Sequence, residues 1–293
     1  MNLREKIVFG RMTIDETRAA CKGKIESLEF WLRRLIDLRL TAIHGPNYFD
    51  EVDATGAHLF STSVRKHATD MMSAHPGRYQ RRIDTLLLED EAKTIFKLFG
   101  EFRDAFAGVA HNREAVQQQL NHIVAARNPL YHANPVTLRQ AERAYCYSSD
   151  IIDSIQDFYR KQAMAYLYDA PLILRMSDSL GHVQHRAAGT EAQDFNHGYA
   201  NDEASYLRVG DVLTVEVEVD PAYPSDSYEI RWASTRLALN QYGKGTSFQI
   251  VLTESQVAAQ FDIQCSVTSN SAWHRKGDKD DFMLVSYRVL PNA

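Results

Sequence analysis

Cysteine is scarce in this sequence, and the three cysteines that it has are far apart. Cys21, Cys146 and Cys265 are odd in number and form no Cys-x-x-Cys pair. That spacing argues against a disulfide framework and against a cysteine-ligated zinc site. We therefore expect three buried thiols, no bound metal and no cofactor.

Long apolar runs are also missing. No run reaches the roughly 18 apolar residues of a membrane helix, and the first ten residues lack the apolar stretch of a secretory signal. These absences predict a soluble, cytoplasmic protein with no membrane partner. The 293 residues, of which 44% are apolar and 24% charged, have an ordinary globular composition and suffice for two domains.

The net charge of −5 is unevenly distributed. Residues 1–170 carry 23 Lys and Arg against 22 Asp and Glu, whereas residues 171–293 carry 10 against 16. Because residues 1–170 are nearly neutral, any contact with RNA would depend on a local patch of positive charge and not on the net charge of the whole region. Composition alone neither supports nor excludes RNA as a partner.

From Thr13 to about Lys161, apolar residues recur at three- and four-residue spacing, which predicts amphipathic helices. Between them, residues 44–80 contain Gly and Pro breakers and are interpreted as a loop followed by shorter helices. We therefore predict an all-helical bundle over residues 1–170. Its four apolar stripes are Ile25, Leu28, Trp31 or Leu32, Leu35 and Ile36; Ile95, Phe99, Phe102, Phe106 and Val109; Val116, Leu120, Ile123 and Val124; and Leu138, Ala141, Tyr145, Ile152, Ile155 and Phe158 or Tyr159.

After Tyr168 the periodicity changes. Residues 171–205 are interpreted as a linker with a first strand region, in which the Gly-, Asn- and Asp-rich stretch 177–205 forms a loose connection. Residues 206–293 contain short alternating segments separated by turn signals, which predict an antiparallel β-sandwich. The expected strands are Val212 to Val219, Tyr228 to Trp232, Ser247 to Leu252, Phe261 to Val267 and Phe282 to Val289.

Two of these segments resemble a known kind of domain. Tyr-Glu-Ile-Arg-Trp at 228–232 and Phe-Asp-Ile-Gln-Cys at 261–265 are similar to the two central strands of immunoglobulin-like or PKD-like domains. The resemblance covers roughly residues 171–293 and implies a module that binds a partner or senses a trigger. It carries no chemistry of its own, so the function has to be argued from the helical part.

The segment Arg127-Asn128-Pro129-Leu130-Tyr131-His132 lies between two predicted helices, the second of which starts near Val136. On an uninterrupted helix, positions five apart point about 140° away from each other. However, Pro129 is expected not to continue the preceding helix, and both Asn128-Pro129 and Asn134-Pro135 have the form of an N-cap followed by proline. We therefore predict a tight bend in which Arg127 and His132 converge.

Such a pair suits cleavage of RNA through its own 2′-hydroxyl group. The reaction needs a base for that hydroxyl, an acid for the leaving 5′-oxygen and a cation on the phosphorane, but no metal. Histidine titrates near neutrality and suits either proton-transfer role, and arginine can grip phosphate oxygens with two nitrogens. One pair supplies only part of this set, and a dimer with two pairs across its interface would supply the rest.

These residues resemble the motif of HEPN domains, in which an arginine and a polar residue are followed a few residues later by a histidine, before the last long helix of a small bundle. The matching residues are Arg127, Asn128 and His132, and the resemblance covers roughly residues 13–165. It implies a homodimeric, metal-independent endoribonuclease of a toxin–antitoxin, phage-defence or RNA-processing system. An antitoxin or sensor partner would then bind the β-sandwich.

Other interpretations of the same residues stay open. Arg127 and His132 would serve equally to cap helix ends, and Asn128 to N-cap a helix. Tyr131 would either stack on an RNA base or pack in the core, and His122 is near enough to join the site. The bundle as a whole would otherwise be a non-catalytic dimerisation scaffold, or a regulatory subunit of another enzyme.

Three further groups of residues are interpreted without a function. Arg78, Arg81 and Arg82 form a small basic patch that is expected to be a solvated helix face. His182, His185 and His197 are expected in a flexible polar loop and not around a metal. The charged stretch 274–281 is expected to be a solvated hairpin turn.

Overall fold

In a computed structural model, the chain divides into two compact units, residues 1–165 and residues 166–293. We refer to them as unit 1 and unit 2. The structure describes residues 12–53, 55–75, 78–79, 81–109, 112–132, 134, 136–162, 170–186, 195–223, 225–234, 236, 243–271 and 274–292.

Unit 1 is helical in its described part, as the sequence predicts. The helices are α1 (Ile14–His44), α2 (Thr62–Ala74), α3 (Leu88–Lys97), α4 (Phe99–Phe102), α5 (Arg113–Tyr131) and α6 (Leu138–Lys161). The core of unit 1 consists mainly of apolar side chains from the longer helices, although α2 contributes only one buried alanine, and the largest of these side chains are Trp31, Tyr159 and Phe102. Helix α1 packs against α6, and α5 packs against α6 and α1.

Local sequence explains where α1 begins and ends. The Thr13 hydroxyl accepts a hydrogen bond from the Glu16 N–H, and the Glu16 carboxylate accepts one from the Thr13 N–H, which is a capping box. At the other end the chain turns at Gly45, whose φ of 82° few other residues adopt. The 31-residue helix between them presents the buried stripe from Ile25 to Ile36.

Three expectations about unit 1 are wrong in detail. The stripe from Ile95 to Val109 does not lie on one helix, because the chain turns at Leu98 and continues as α4 and then a 3-10 turn over Arg103–Phe106. Leu138 is 52% exposed because it is the first residue of α6. Cys146 is exposed, whereas Cys21 and Cys265 are buried, and all three are free thiols.

Unit 2 contains two β-sheets. The strands are β1 (Ile173–Asp178), β2 (Val183–His185), β3 (Phe195–Gly198), β4 (Leu207–Arg208), β5 (Val212–Val219), β6 (Tyr228–Ala233), β7 (Ser247–Val251), β8 (Ala258–Ser269) and β9 (Asp281–Leu290). The first sheet has the strand order β2-β1-β5-β7 and is antiparallel; the second has the order β3-β9-β8-β6, with β4 also paired to β9. Strands β3 and β4 run parallel to β9, so the second sheet is mixed and not, as the sequence analysis expected, antiparallel throughout.

The five strands expected after residue 206 are confirmed, and so is the alternation of β5. Its Leu213, Val215, Val217 and Val219 are buried, while the residues between them face outwards. Side chains from both sheets belong to one hydrophobic cluster, in which Trp232 is 1% exposed. Burial of one face of each sheet in this cluster fixes the register of the strands, because a slip by one residue would turn the apolar face outwards.

Two expected loops of unit 2 are instead built into its structure. In the stretch 177–205, residues 187–194 lie outside the described residues, and the described remainder contains most of the β1–β2 hairpin and β3, so that part is not a loose connection. In the stretch 274–281, Asp280 and Asp281 are fully buried, and Asp281 accepts hydrogen bonds from the Ile173 N–H and the Arg186 guanidinium. Asp281 therefore joins this stretch to β1, because a buried carboxylate requires such partners.

No helix in the described part of the chain is both long enough and apolar enough to cross a membrane.

Candidate functional site

The predicted bend at Pro129 is absent. Helix α5 continues through Pro129 to Tyr131, and His132 is its C-terminal capping residue. A proline in the last turn of a helix removes one donor, but its carbonyl group remains able to accept. The Pro129 carbonyl accepts from the Asn134 N–H at 3.0 Å, which continues the backbone bonding past the proline.

The two expected N-caps around this segment are also wrong. Asn128 lies inside α5, and its carbonyl group accepts a hydrogen bond from the His132 N–H at 3.1 Å. Helix α6 is capped by Thr137, which forms a capping box with Gln140. Because α5 is continuous, its regular geometry directs positions 127 and 132 about 140° apart, and no bend within one chain turns Arg127 towards His132.

Arg127 is held on one side by a buried glutamate of α1. Its Nε donates to Glu29 Oε1 at 2.6 Å, and the two side chains are 15% and 8% exposed. The guanidinium also lies over the Tyr131 ring, 4.7 Å from its centre. Burial lowers the pKa of Arg127, but the hydrogen bond and charge of Glu29 outweigh burial, so the pKa is raised. The guanidinium is therefore a fixed, permanent cation.

The outer edge of the Arg127 guanidinium is unused. Within the described part of the chain, its two terminal nitrogens make no hydrogen bond, since only Nε is engaged by Glu29. These two nitrogens form the planar fork that matches two oxygens of a phosphate or carboxylate group. Glu29 thus orients Arg127 while leaving its anion-binding edge available.

Behind Arg127 lies a cluster of buried charges. Arg33 bonds to Glu29, to Glu91 at 2.8 Å and to the carbonyl group of Leu86. Glu91 is fully buried, and desolvation raises its pKa well above the ordinary value despite the neighbouring Arg33. Arg33 thus joins two buried glutamates, and it fixes the carboxylate of Glu29 that orients Arg127.

Tyr131 is surrounded by charges from α1. Its hydroxyl donates to Glu26 Oε1 at 3.0 Å, and the Lys22 ammonium group lies 5.0 Å from the ring centre. Arg127 also lies over this ring. An RNA base that stacked on Tyr131 would have to displace one of these cations, so the ring has a structural role in the free protein.

The remaining predicted residues differ in their surroundings. His132 and Asn128 are exposed, and in the described region neither side chain makes a hydrogen bond. His122 is half-buried and stacks on Tyr147 of α6, with ring centres 5.9 Å apart. Of the predicted site, the structure thus offers one anchored cation, one exposed imidazole and one exposed amide on the last turns of α5.

The sequence analysis missed a row of five charged residues on α1, the first four of which contact this part of α5. Its members recur at spacings of three and four residues, so they lie on one face of the helix. Polar residues at helical spacing beside a buried apolar stripe are the signal that would have found them. The row is Arg18, Lys22, Glu26, Glu29 and Arg33.

The basic patch of residues 78–82 is partly neutralised and is not a free phosphate site. Arg81 pairs with Asp37 and Asp84, and Arg82 forms two hydrogen bonds with Asp50. These ion pairs tie the 3-10 turn that contains Arg82 to other parts of unit 1.

Unit 2 contains a serine, a histidine and an aspartate that are linked by consecutive hydrogen bonds. His182 Nδ1 lies 2.7 Å from Asp178 Oδ2, and its Nε2 lies 3.0 Å from Ser205 Oγ. Ser205 also donates to Asp202 at 2.7 Å, and Asp178 accepts from the Tyr287 hydroxyl. The predicted flexible loop around His182 is therefore a hydrogen-bonded network.

This arrangement resembles a hydrolase triad only in its order of bonds. Ser205 is 1% exposed, and its single proton is donated to Asp202. A nucleophilic serine would need an accessible oxygen and would donate its proton to the histidine. The network instead connects the β1–β2 turn to the segment after β3, and its histidine faces an acceptor at each ring nitrogen.

In the described residues, no group of three His, Cys, Asp or Glu side chains is placed to hold a metal ion. No protein-family model matches the chain, and no curated protein is significantly similar to it in sequence.

Proposed function

We propose that unit 1 is a HEPN-type, metal-independent endoribonuclease and that the last turns of α5 form its active centre. The observation that carries the proposal is the state of Arg127: Glu29 holds its Nε at 2.6 Å while its two terminal nitrogens stay unbonded in the described structure. An exposed histidine, His132, follows five residues later. A cation anchored on one side and open on the other suits a phosphate ligand.

The reaction proceeds by attack of the RNA 2′-hydroxyl oxygen on the adjacent phosphorus. His132 accepts the 2′-hydroxyl proton or supplies the proton for the leaving 5′-oxygen. Arg127 stabilises the negative charge of the phosphorane. One bond from phosphorus to the 2′-oxygen forms and the bond to the 5′-oxygen breaks, so the products are a 2′,3′-cyclic phosphate and a 5′-hydroxyl. Asn128 positions the phosphate.

A homodimer completes this site. The geometry of α5 directs Arg127 and His132 of one chain apart by about 140°, so each phosphate would be gripped by residues of two chains. Two copies of the α5 end, facing one another, supply two histidines for the two proton transfers and two arginines for the charge.

Unit 2 has a separate proposed role. The two sheets share one hydrophobic cluster, which supports a β-sandwich of immunoglobulin-like or PKD-like kind. Unit 2 also has an excess of acidic residues. We propose that it binds an antitoxin or a sensor partner. The whole chain would then be a toxin or phage-defence effector in the cytoplasm.

A second candidate function is a non-catalytic dimerisation scaffold. The observation that favours it is the burial of the Arg127–Glu29 pair, whose side chains are 15% and 8% exposed. An arginine that serves only to join α5 to α1 would show the same ion pair. In that case RNA would not be cleaved, and His132 would have no role in activity.

The deciding experiment measures cleavage of total cellular RNA by the purified full-length protein in buffer that contains EDTA. The variants are Arg127→Lys, which keeps the charge but not the fork, and His132→Ala. Their matched controls are Arg113→Lys, at the exposed start of α5, and His67→Ala on α2. Circular dichroism confirms that each variant is folded, and light scattering gives its oligomeric state.

The proposal predicts cleavage that leaves 2′,3′-cyclic phosphates and is insensitive to EDTA. His132→Ala and Arg127→Lys should each lower the rate by about 100-fold or more, while the controls cleave like the wild type. Reproducible absence of cleavage by the folded, dimeric protein and by its isolated unit 1 would favour the scaffold.

A further inference from the structure

Arg18 of α1 reaches across to the end of α5 and donates only to backbone carbonyl groups. Its Nη1 lies 3.2 Å from the Asn134 oxygen, and its Nη2 lies 3.4 Å from the Leu130 oxygen and 3.5 Å from the Pro129 oxygen. More than 100 residues separate Arg18 from these acceptors in the sequence. Arg18 is half-buried, and it makes no other hydrogen bond in the described structure.

Two of these carbonyl groups, those of Pro129 and Leu130, lie in the last turn of α5, where carbonyl groups lack intrahelical partners and carry the negative end of the helix dipole. The third, that of Asn134, lies just beyond the helix. A guanidinium that spans all three therefore ties the end of α5 to the segment that follows it.

The three acceptors lie on both sides of His132, two before it and one after it. The His132 side chain is exposed and has no hydrogen bond in the described region, so only its backbone fixes its position. That backbone is held by the His132 N–H bond to Asn128 and by the segment that Arg18 clamps.

We propose that Arg18 is a positioning residue of the site, which holds the α5 end so that His132 stays in one orientation. The effect of Arg18 on catalysis rests on the proposed nuclease function. The contacts of Arg18 with the three carbonyl groups, which we call the clamp, belong to the fold and do not depend on that function. Arg18 uses its terminal nitrogens on the protein backbone, so it orients the histidine and does not bind the substrate.

The test compares Arg18→Gln and Arg18→Lys with Arg39→Gln in the full-length protein. Arg39 is the matched control because it is also on α1 and donates to a backbone carbonyl, that of Glu101, away from α5. Two quantities are measured: amide hydrogen exchange of residues 116–134 by NMR, and kcat, KM and the pH profile of RNA cleavage.

In Arg18→Gln we expect the amides of His132 and Asn134 to exchange about tenfold faster, while those of residues 116–124 keep their rates. We expect kcat to fall by about tenfold or more, with KM changed less than twofold and a shifted pH profile. Arg18→Lys, which keeps the charge with a single nitrogen, should restore part of kcat, and Arg39→Gln should change neither quantity.

The two ideas fail in different ways. Unchanged exchange in Arg18→Gln would overturn the clamp, whatever the activity. Faster exchange with unchanged kcat would overturn the role of Arg18 in positioning His132, and Arg18 would then be only a stabilising contact at the end of α5. Absence of cleavage by the wild type would overturn the proposed function, and with it the role of Arg18 in positioning a catalytic histidine. The exchange data would still decide whether Arg18 clamps the end of α5.

Discussion

At the scale of single residues, the candidate site depends on a carboxylate that is almost completely buried, that of Glu29. Glu29 is 6% exposed and accepts from Arg127 Nε and from Arg33. Removing it entirely would leave two arginines short of a buried partner, which typically costs about 3–5 kcal/mol of stability. Glutamine keeps the size of the side chain and one of its two acceptor oxygens, so it removes the charge and one hydrogen bond without leaving a cavity.

We predict that Glu29→Gln lowers kcat for RNA cleavage by about tenfold, equivalent to losing the ionic part of one charge-assisted hydrogen bond. The fold should persist, as checked by circular dichroism. The control is Glu114→Gln in the first turn of α5, where the side chain is exposed. Wild-type kcat in a folded Glu29→Gln protein would contradict the orienting role of Glu29.

The neighbouring Glu91 gives a prediction about pH. Its pKa in the folded protein is raised well above the ordinary 4.5, chiefly by desolvation. The unfolded chain therefore ionises at lower pH than the folded protein, and ionisation favours unfolding. The stability that Glu91 contributes is fully present below pH 4.5 and is lost as the pH rises through the raised folded value.

This dependence is measurable as a difference between the wild type and Glu91→Gln, which cannot ionise. Urea unfolding is followed by helical circular dichroism, which reports on unit 1, across the range from acid to mildly alkaline pH. The free energy of unfolding of the wild type should decline relative to that of Glu91→Gln as the pH rises. A difference that is independent of pH, or one of opposite slope, would show that Arg33 keeps Glu91 ionised.

At the scale of elements, the sequence predicts what depends on local periodicity. The alternation in β5 and the buried stripe of α1 follow from side chains that must face one core, so both could be predicted. The exposed Leu138 and Cys146 could not be, because a stripe does not tell where a helix begins or how far its apolar face extends.

The candidate site is predictable only in part for a similar reason. The residues of the motif are visible in sequence, whereas the partner that orients Arg127 lies 98 positions earlier. The bend expected at Pro129 is absent. It was expected from the low helix propensity of proline alone, without the contacts that α1 makes with the end of α5. Arg18 donates to the Pro129 and Leu130 carbonyl groups, and the Asn134 N–H donates to that of Pro129, so the end of α5 is held by contacts that its local sequence does not show.

Pro129 itself should cost stability. It withholds one backbone hydrogen bond from the last turn of α5, and proline within a helix is less favourable than alanine by up to about 3 kcal/mol. Because the position is near the helix end, we predict that Pro129→Ala stabilises unit 1 by about 1 kcal/mol in urea unfolding. Pro46→Ala, in the turn after α1, restores no helix bond and should be neutral or slightly destabilising. A loss of stability in Pro129→Ala would mean that the proline is required for the α5 end to fold.

At the scale of the whole molecule, the two units differ in structure and in charge. Unit 1 is helical with its own buried core, and unit 2 is built from two sheets around a separate hydrophobic cluster. The excess of Asp and Glu over Lys and Arg lies almost entirely in residues 171–293. A domain with its own core generally folds without its neighbour, so the activity and its control are expected to be separable.

We predict that a fragment of residues 1–165 folds, dimerises and cleaves RNA with a kcat within about threefold of the full-length protein when no partner is present, because every residue of the candidate site lies within it. A fragment of residues 166–293 should fold and be inactive. The measurements are light scattering and RNA cleavage, with circular dichroism to confirm each fold. A fragment 1–165 that is much more active than the full chain would make unit 2 an inhibitor in its own right. A folded but monomeric and inactive fragment 1–165, beside an active full-length dimer, would contradict the prediction that unit 1 contains the complete active site and place part of the dimer interface in unit 2.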